Sequence, residues 1–221
     1  MKISITFLFC SLMIALSLGC GFSTEKRIPK ALLEGLDQRS LKKISEAEIL
    51  NAAERLGDSV TLLAQKVLMG KLIEKIEEGT YASAVGFCSQ NAQHITDSIG
   101  KVFSVGLRRI SLKNRNESNQ PSALEQNLLE AYEYSAAEGQ QLTTNLQFFH
   151  GEDSILYNKP IFLPSKLCLN CHGSKEDIDK LTDAAIKEQY PLDKAHAYKV
   201  GDFRGLWSVS MSKRQLVKGL Y

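Results

Sequence analysis

The run Cys168-Leu169-Asn170-Cys171-His172 constrains this chain more than any other stretch, because a fold that carries it must keep room beside it for a large planar guest. C-x-x-C-H is the attachment sequence of a c-type haem. The two thiols can add across the two vinyl groups of the ring, and the short spacer lets both sulfurs reach. The imidazole that follows then lies under the ring, where one nitrogen can bind the iron. Other uses of paired cysteines fit less well. A structural zinc site calls for two further Cys or His ligands at matching spacing, and there is no second C-x-x-C. A thioredoxin-like dithiol sits at the mouth of a βαβ unit, whereas this pair follows a loop opened by Pro160 and Pro164. The expectation is one covalent haem c, with Cys168 and Cys171 as thioethers and His172 on the iron.

The other end of the chain reads as an export signal. Met1 and Lys2 give a short positive start, and Ile3 to Leu18 is largely apolar and too short to span a bilayer comfortably. The segment closes on Leu16-Ser17-Leu18-Gly19-Cys20, which resembles the lipobox of bacterial lipoproteins. In such proteins the Cys after a small residue is lipidated and becomes the mature N-terminus. Ser17 stands where Leu or Val is commoner, and the alternative is an ordinary signal peptide cut nearby. Either route predicts a periplasmic or otherwise extracytoplasmic protein, on the side of the membrane where haem is covalently attached. The expected organisation is a signal peptide over 1–19, a membrane tether over 20–39 and a haem-binding domain over 40–221. No later stretch reads as a transmembrane helix.

Cleavage at Gly19 leaves 221 − 19 = 202 residues, enough for a buried core. The Lys and Arg are interspersed with Asp and Glu at a formal net charge of +2, so no nucleic-acid partner is expected. Of the five cysteines, Cys10 leaves with the signal, Cys20 is the lipidation site, and Cys168 and Cys171 go to thioethers. Cys88 is left as a lone thiol in an oxidising compartment, either buried and inert or held by a metal.

Helical apolar spacing runs from Leu41 to Ile76, with Gly57 or Gly70 as possible breaks, and Gly79-Thr80 separates it from a second helix. On that second helix Tyr81, Ala84, Val85, Cys88, Ala92 and Ile95 share the apolar face, while His94 points elsewhere. Val102 to Leu112 alternates and predicts a strand. Pro121-Ser122 with Glu125 forms a capping-box signature opening a helix to about Ala137. Strands are expected over 145–149 and 154–162, a helix from Ser174 to about Gln189, and a closing strand over 205–212 with Trp207, Val209 and Met211 on one side. Strands in runs, without a βαβ rhythm, predict an α+β domain with an antiparallel sheet.

His172 needs a partner across the ring, and the residues alone leave Cys88, His94, His150, His196, Met69 and Met211 as candidates. Cys88 stands out because it combines an apolar-facing position with an otherwise unexplained thiol. Among the arginines, Arg108, Arg109, Arg115 and Arg204 could each pair with a haem propionate, since a guanidinium fork matches a carboxylate. A surface position or a structural ion pair is the commoner fate of any single one. Tyr190 and Trp207 read equally as core residues or haem neighbours.

Several stretches in order carry a family resemblance. They are Arg109-Ile110-Ser111-Leu112-Lys113 with Arg115-Asn116, Asn119 and Pro121; Lys159-Pro160-Ile161; Cys168 to Gly173; and Tyr190-Pro191-Leu192-Asp193-Lys194-Ala195. Tyr198-Lys199, Gly201-Asp202-Phe203-Arg204-Gly205 and Ser208-Val209 complete the set. Over roughly 45–212 the chain resembles the single-haem, PAS-like c-type cytochrome family, whose module occurs alone or as the extracytoplasmic part of signalling receptors. The resemblance implies a PAS-like antiparallel sheet with flanking helices, one covalent haem, and iron held by His172 and Cys88. It also favours Arg109 and Arg204 among the arginines. Two departures stand out: Glu117 replaces a Pro often found after the Arg-Asn pair, and His196 replaces a small residue, adding an imidazole near the expected haem.

No nucleophile–base pair, Gly-rich phosphate loop or substrate-binding metal cluster is visible, so an enzyme is not expected. Two roles remain. The first is an electron carrier that docks with a redox partner protein; the second is a redox or gas (CO/NO) sensor. The 221 residues hold no kinase or methyl-accepting region, so a sensor would signal through a separate partner, which favours the carrier.

Overall fold

The computed structural model describes residues 29–30, 44–149 and 153–220. The expected signal peptide, Cys20, most of the tether and His150 lie outside the described residues. Residues Ile44–Tyr221 form one unit, and its first helix, α1, runs over Glu46–Glu78. A capping box starts it: the Ser45 hydroxyl accepts the Glu48 N–H at 3.2 Å, and the Glu48 carboxylate accepts the Ser45 N–H at 2.9 Å. Neither glycine breaks it. Gly57 is where the ring of Tyr157 lies on the helix, so close that a Cβ there would fall 2.5 Å from Tyr157 Cγ. A second capping box, Thr80 with Ser83, opens α2 over Tyr81–Phe103.

The strand expected from Val102 begins later. α2 continues to Phe103 because Ser104 takes the left-handed conformation (φ 56°, ψ 39°) and caps it, its N–H bonding the Lys101 carbonyl at 3.1 Å. β1 is therefore confined to Gly106–Ile110. Ser122 and Glu125 form the expected capping box, and α3 covers Ala123–Ala137. β2 (Asn145–Phe149) and β3 (Ser154–Phe162) follow as expected. The Cys-x-x-Cys-His stretch is not a plain loop: a 3-10 turn, Lys166–Cys168, runs into the one-turn helix α4, Leu169–His172. α5 starts at Lys180, not Ser174, and ends at Gln189. Ser174 is taken up in a local turn with Asp177, whereas Asp179 accepts the N–H groups of Leu181 and Thr182 and so becomes the cap. β4 spans Phe203–Ser212 and leads into a short α6, Lys213–Lys218.

The result is a mixed α+β fold: a four-stranded sheet in the order β1-β4-β3-β2, every neighbouring pair antiparallel, with six α-helices among the described residues. One face packs Ile155, Tyr157, Trp207, Val209 and Met211 against α1. On the other face, Leu129 and Tyr132 of α3 cover Ile110 and Leu206. Alternation slips once in β4. Phe203 and Leu206, three apart, both join the α3 cluster, and the pairing jumps from Ile161↔Gly205 to Phe162↔Phe203. Arg204 is the extra residue of this β-bulge. Gly205 makes it possible: its φ is 147°, and a Cβ would sit 2.2 Å from the Ile110 carbonyl oxygen. Among the described residues no helix is long and apolar enough to cross a membrane.

The two glycines of α1 should respond oppositely to the same substitution. Gly57→Ala forces a methyl into the buried Tyr157 ring and should lower the unfolding free energy by about 1–3 kcal/mol. Gly70→Ala, with nothing within 4 Å of its Cβ position, should raise it by roughly 0.5–1 kcal/mol through helix propensity. Urea midpoints of the two variants against the parent chain check both signs.

Candidate cofactor site

The Cys-x-x-Cys-His turn closes a cavity at one end of the sheet. Its walls come from α1 (Leu68, Met69, Leu72), α2 (Val85, Cys88), the end of β1 and its following loop (Arg109, Arg115), the loop after β3 (Leu163, Leu167), and Arg204. Cys168, Cys171 and His172 line the same space, as does Tyr190 from the end of α5.

A second loop wraps the turn and fixes the imidazole. His172 Nδ1 donates to the Ala195 carbonyl at 2.9 Å, and the His172 carbonyl accepts the Tyr198 N–H at 3.0 Å. With its proton on Nδ1, the ring keeps Nε2 as a free lone pair. The two segments are bound together by Arg115. Its guanidinium bonds both carboxylate oxygens of Asp193, at 3.2 and 3.1 Å, and donates to the Cys171 and Ala195 carbonyls. The pair is nearly closed to solvent, with side chains 12% and 11% exposed.

Burial sets the protonation of the cavity. It pushes the His172 imidazole well below the usual range, helped by the positive charges of Arg115 and Arg204, so the ring is neutral. It pushes the Cys171 thiol up to about 11 and the Tyr190 phenol up to about 12. The Cys88 thiol is raised by burial too, with Arg109 and Arg115 pulling the other way. Arg109 and Arg204 are both lowered by burial. The donor set is thus two thiols, a neutral imidazole and a third thiol on an apolar wall. No three His, Cys, Asp or Glu side chains among the described residues converge as a site for a bare metal ion. The donors suit a guest with several points of attachment. A haem is one such guest.

The remaining candidates from the sequence separate cleanly. His94 and His196 are exposed and off the cavity wall, so the extra imidazole at 196 does not face the cavity. Met211 lies in the core against α1, and Trp207 is buried there with it. Met69 does line the cavity. Arg108 leaves the site: it pairs with Glu125 at 3.4 Å and donates to the Gln120 carbonyl at 2.9 Å. Sequence reasoning read Arg115 as a propionate candidate and missed its pairing with Asp193. The only local signal was an acidic residue inside the Tyr190–Ala195 motif.

The sequence profile of the Tll0287-like family matches residues 34–212. Among solved structures, the chain aligns with one titled "Crystal structure of the cyanobacterial heme-protein Tll0287", at a TM-score of 0.49 and 24% identity, covering 72% of this chain and 95% of that one. No curated protein matches.

If the Arg115–Asp193 pair clamps the site, Asp193→Ala should destabilise the fold by about 3 kcal/mol, because it strands a buried guanidinium. Limited proteolysis should then cut faster within 166–198. The double variant Arg115→Met/Asp193→Leu, which removes both charges, should recover more than half of the lost stability. Urea unfolding of the three chains provides the comparison.

Proposed function

Because the chain belongs to the Tll0287-like family, we propose that it is an exported, lipid-anchored c-type cytochrome that carries electrons through one covalently bound haem. One observation carries the reading: the C-x-x-C-H turn and Cys88, 80 residues earlier by 168 − 88, line one cavity in which the imidazole presents a free Nε2. When bound, the haem supplies one-electron chemistry through its iron.

The chain's own residues do the rest. Cys168 and Cys171 tether the guest, so it is not lost. His172, aimed by Ala195, gives a neutral nitrogen donor whose basicity is raised by the bond at Nδ1. Cys88 gives a sulfur donor from α2; as a thiolate it donates charge and favours the ferric state, which sets a low potential compared with His/Met ligation. Leu68, Leu72, Val85, Leu163 and Leu167 form an apolar wall that limits water at the donors. The PAS-like character implied by the sequence resemblance belongs to this reading as well.

Co-expressed with the haem-attachment machinery, the protein should give a band in haem-stained denaturing gels that vanishes in Cys168→Ser/Cys171→Ser. Cys88→Ala should convert a low-spin ferric spectrum to a high-spin or water-ligated one and raise the midpoint potential. An unchanged spectrum would shift the distal role to Met69, the other sulfur on the cavity wall. Tight CO binding by the reduced wild-type protein would favour gas sensing over electron carriage.

The anchor is tested separately. Mass spectrometry of the membrane fraction should find a diacylated peptide beginning at Cys20. A soluble protein starting elsewhere would remove the anchor from the reading and leave the haem site untouched.

A further inference from the structure

The hydrogen bond to Ala195 fixes one point of the His172 ring and leaves one motion open. Hydrogen bonds at a carbonyl oxygen tolerate a broad range of directions, so a ring held at Nδ1 alone can rock about that bond and carry Nε2 with it. The Ala195 oxygen is also shared with Arg115, at 3.2 Å. Holding the plane of the imidazole takes a second contact, and Tyr198 supplies one. Its ring meets the His172 ring nearly at right angles, with centroids 6.3 Å apart and planes at 88°. Edge-to-face is a favoured arrangement of two aromatic rings, and it fixes orientation as well as distance.

Tyr198 is itself held from several sides. Its N–H bonds the His172 carbonyl at 3.0 Å, so its backbone is latched to the residue that its ring touches. Ala197, directly before it, takes a left-handed conformation (φ 60°) that alanine seldom adopts. There the Ala197 N–H bonds the Gly173 carbonyl at 2.8 Å, so successive amides of this loop meet successive carbonyls at the end of α4. Backbone strain of this kind persists only where its surroundings fix it, and it gathers at functional sites. Leu163 and Ala195 pack with Tyr198, which is 7% exposed. Lys113 Nζ lies over its ring at 4.8 Å from the centroid and Arg204 Cζ at 5.3 Å. A cation over an aromatic face adds an attraction that plain core packing lacks. Ser111 ties the two cations together: its hydroxyl accepts the Lys113 N–H at 3.1 Å and the Arg204 guanidinium at 2.8 Å.

Resting on the reading that the cavity holds a haem with His172 as a donor to its iron, we propose that Tyr198 is the positioning residue for that donor. Its ring fixes the plane of the imidazole, while the Ala195 carbonyl fixes the tautomer. The site thereby gains a nitrogen donor with one orientation. Such a donor suits a carrier, because a preorganised group does not rearrange when the electron arrives or leaves.

EPR spectroscopy of the ferric, haem-loaded protein tests this, since the g values depend on how the plane of an axial imidazole is turned. The wild-type protein should give one set of g values. Tyr198→Leu should broaden that set or split it into several overlapping ones, with the haem still attached. Tyr198→Phe, which keeps the ring and loses the hydroxyl, should give back the wild-type set. A Leu variant with a lower urea midpoint and wild-type g values would make Tyr198 an ordinary core residue and overturn the proposal. A Phe variant as altered as the Leu variant would also overturn it, because the contact lies in the ring. Should the Leu protein not accumulate, Tyr198→Met, whose flexible chain fills irregular gaps, is read on the same outcomes. If the wild-type protein carries no haem, the cofactor reading fails and takes this one with it. If it carries haem and the g values ignore Tyr198, only this proposal falls.

Discussion

One guanidinium holds the candidate site together. Arg115 reaches from the loop after β1 to Asp193, to the Cys171 carbonyl and to the Ala195 carbonyl. The Ala195 oxygen is the one that also accepts His172 Nδ1. The tautomer and aim of the imidazole therefore depend on a side chain that never touches it through a hydrogen bond. Asp193 completes the lock by accepting the Ala195 N–H at 2.8 Å. A lysine could supply the charge but not this fan of donors, because only the planar fork addresses a carboxylate and two carbonyls together.

The layers beneath explain why such a lock can form. The sheet is covered by α1 on one face and α3 on the other, and its end near Ile110, Ile161 and Gly205 is left for the cavity. Apolar wall and charged wall then come from different elements. α1 and α2 contribute leucine, valine and a thiol; β1 and the β4 bulge contribute the arginines. A guest with an apolar body and an anionic edge matches that division, whereas a small polar substrate would leave the helical wall unmatched.

What could be read from the sequence follows how local each determinant is. α3, β2 and β3 fall where expected because their boundaries rest on a capping box and on a short polar turn. The start of β1 was misplaced because Val102 to Val105 suits a helix end as well as a strand, and the choice turns on Ser104 going left-handed, a conformation serine seldom announces. The α5 cap was misplaced because Ser174 and Asp179 are both good cap residues and only the second finds two free N–H groups. α6 was missed, being six residues with no side-chain cap. At the site, the C-x-x-C-H motif and the apolar face carrying Cys88 were legible, since spacing alone defines them. The Arg115–Asp193 pair spans 78 residues, and the bulge at Arg204 exists only in register with β3. Neither leaves a local pattern to read.

Cys88 and His172 reach the cavity from separate parts of the fold, and that decides what controls their separation. His172 belongs to the turn clamped by Arg115, while Cys88 rides on α2. Chain connectivity between them is too long to set a distance. The setting comes from packing: α2 lies against α5 and β1, and Ser89, next to Cys88, donates to Gln189 at 2.8 Å. Tyr190, directly after Gln189, also lines the cavity. The contact between α2 and the end of α5 is thus the fold's ruler for the gap between the two donors. A change in that packing would alter the sulfur side of the site and leave the imidazole where Arg115 and Ala195 hold it.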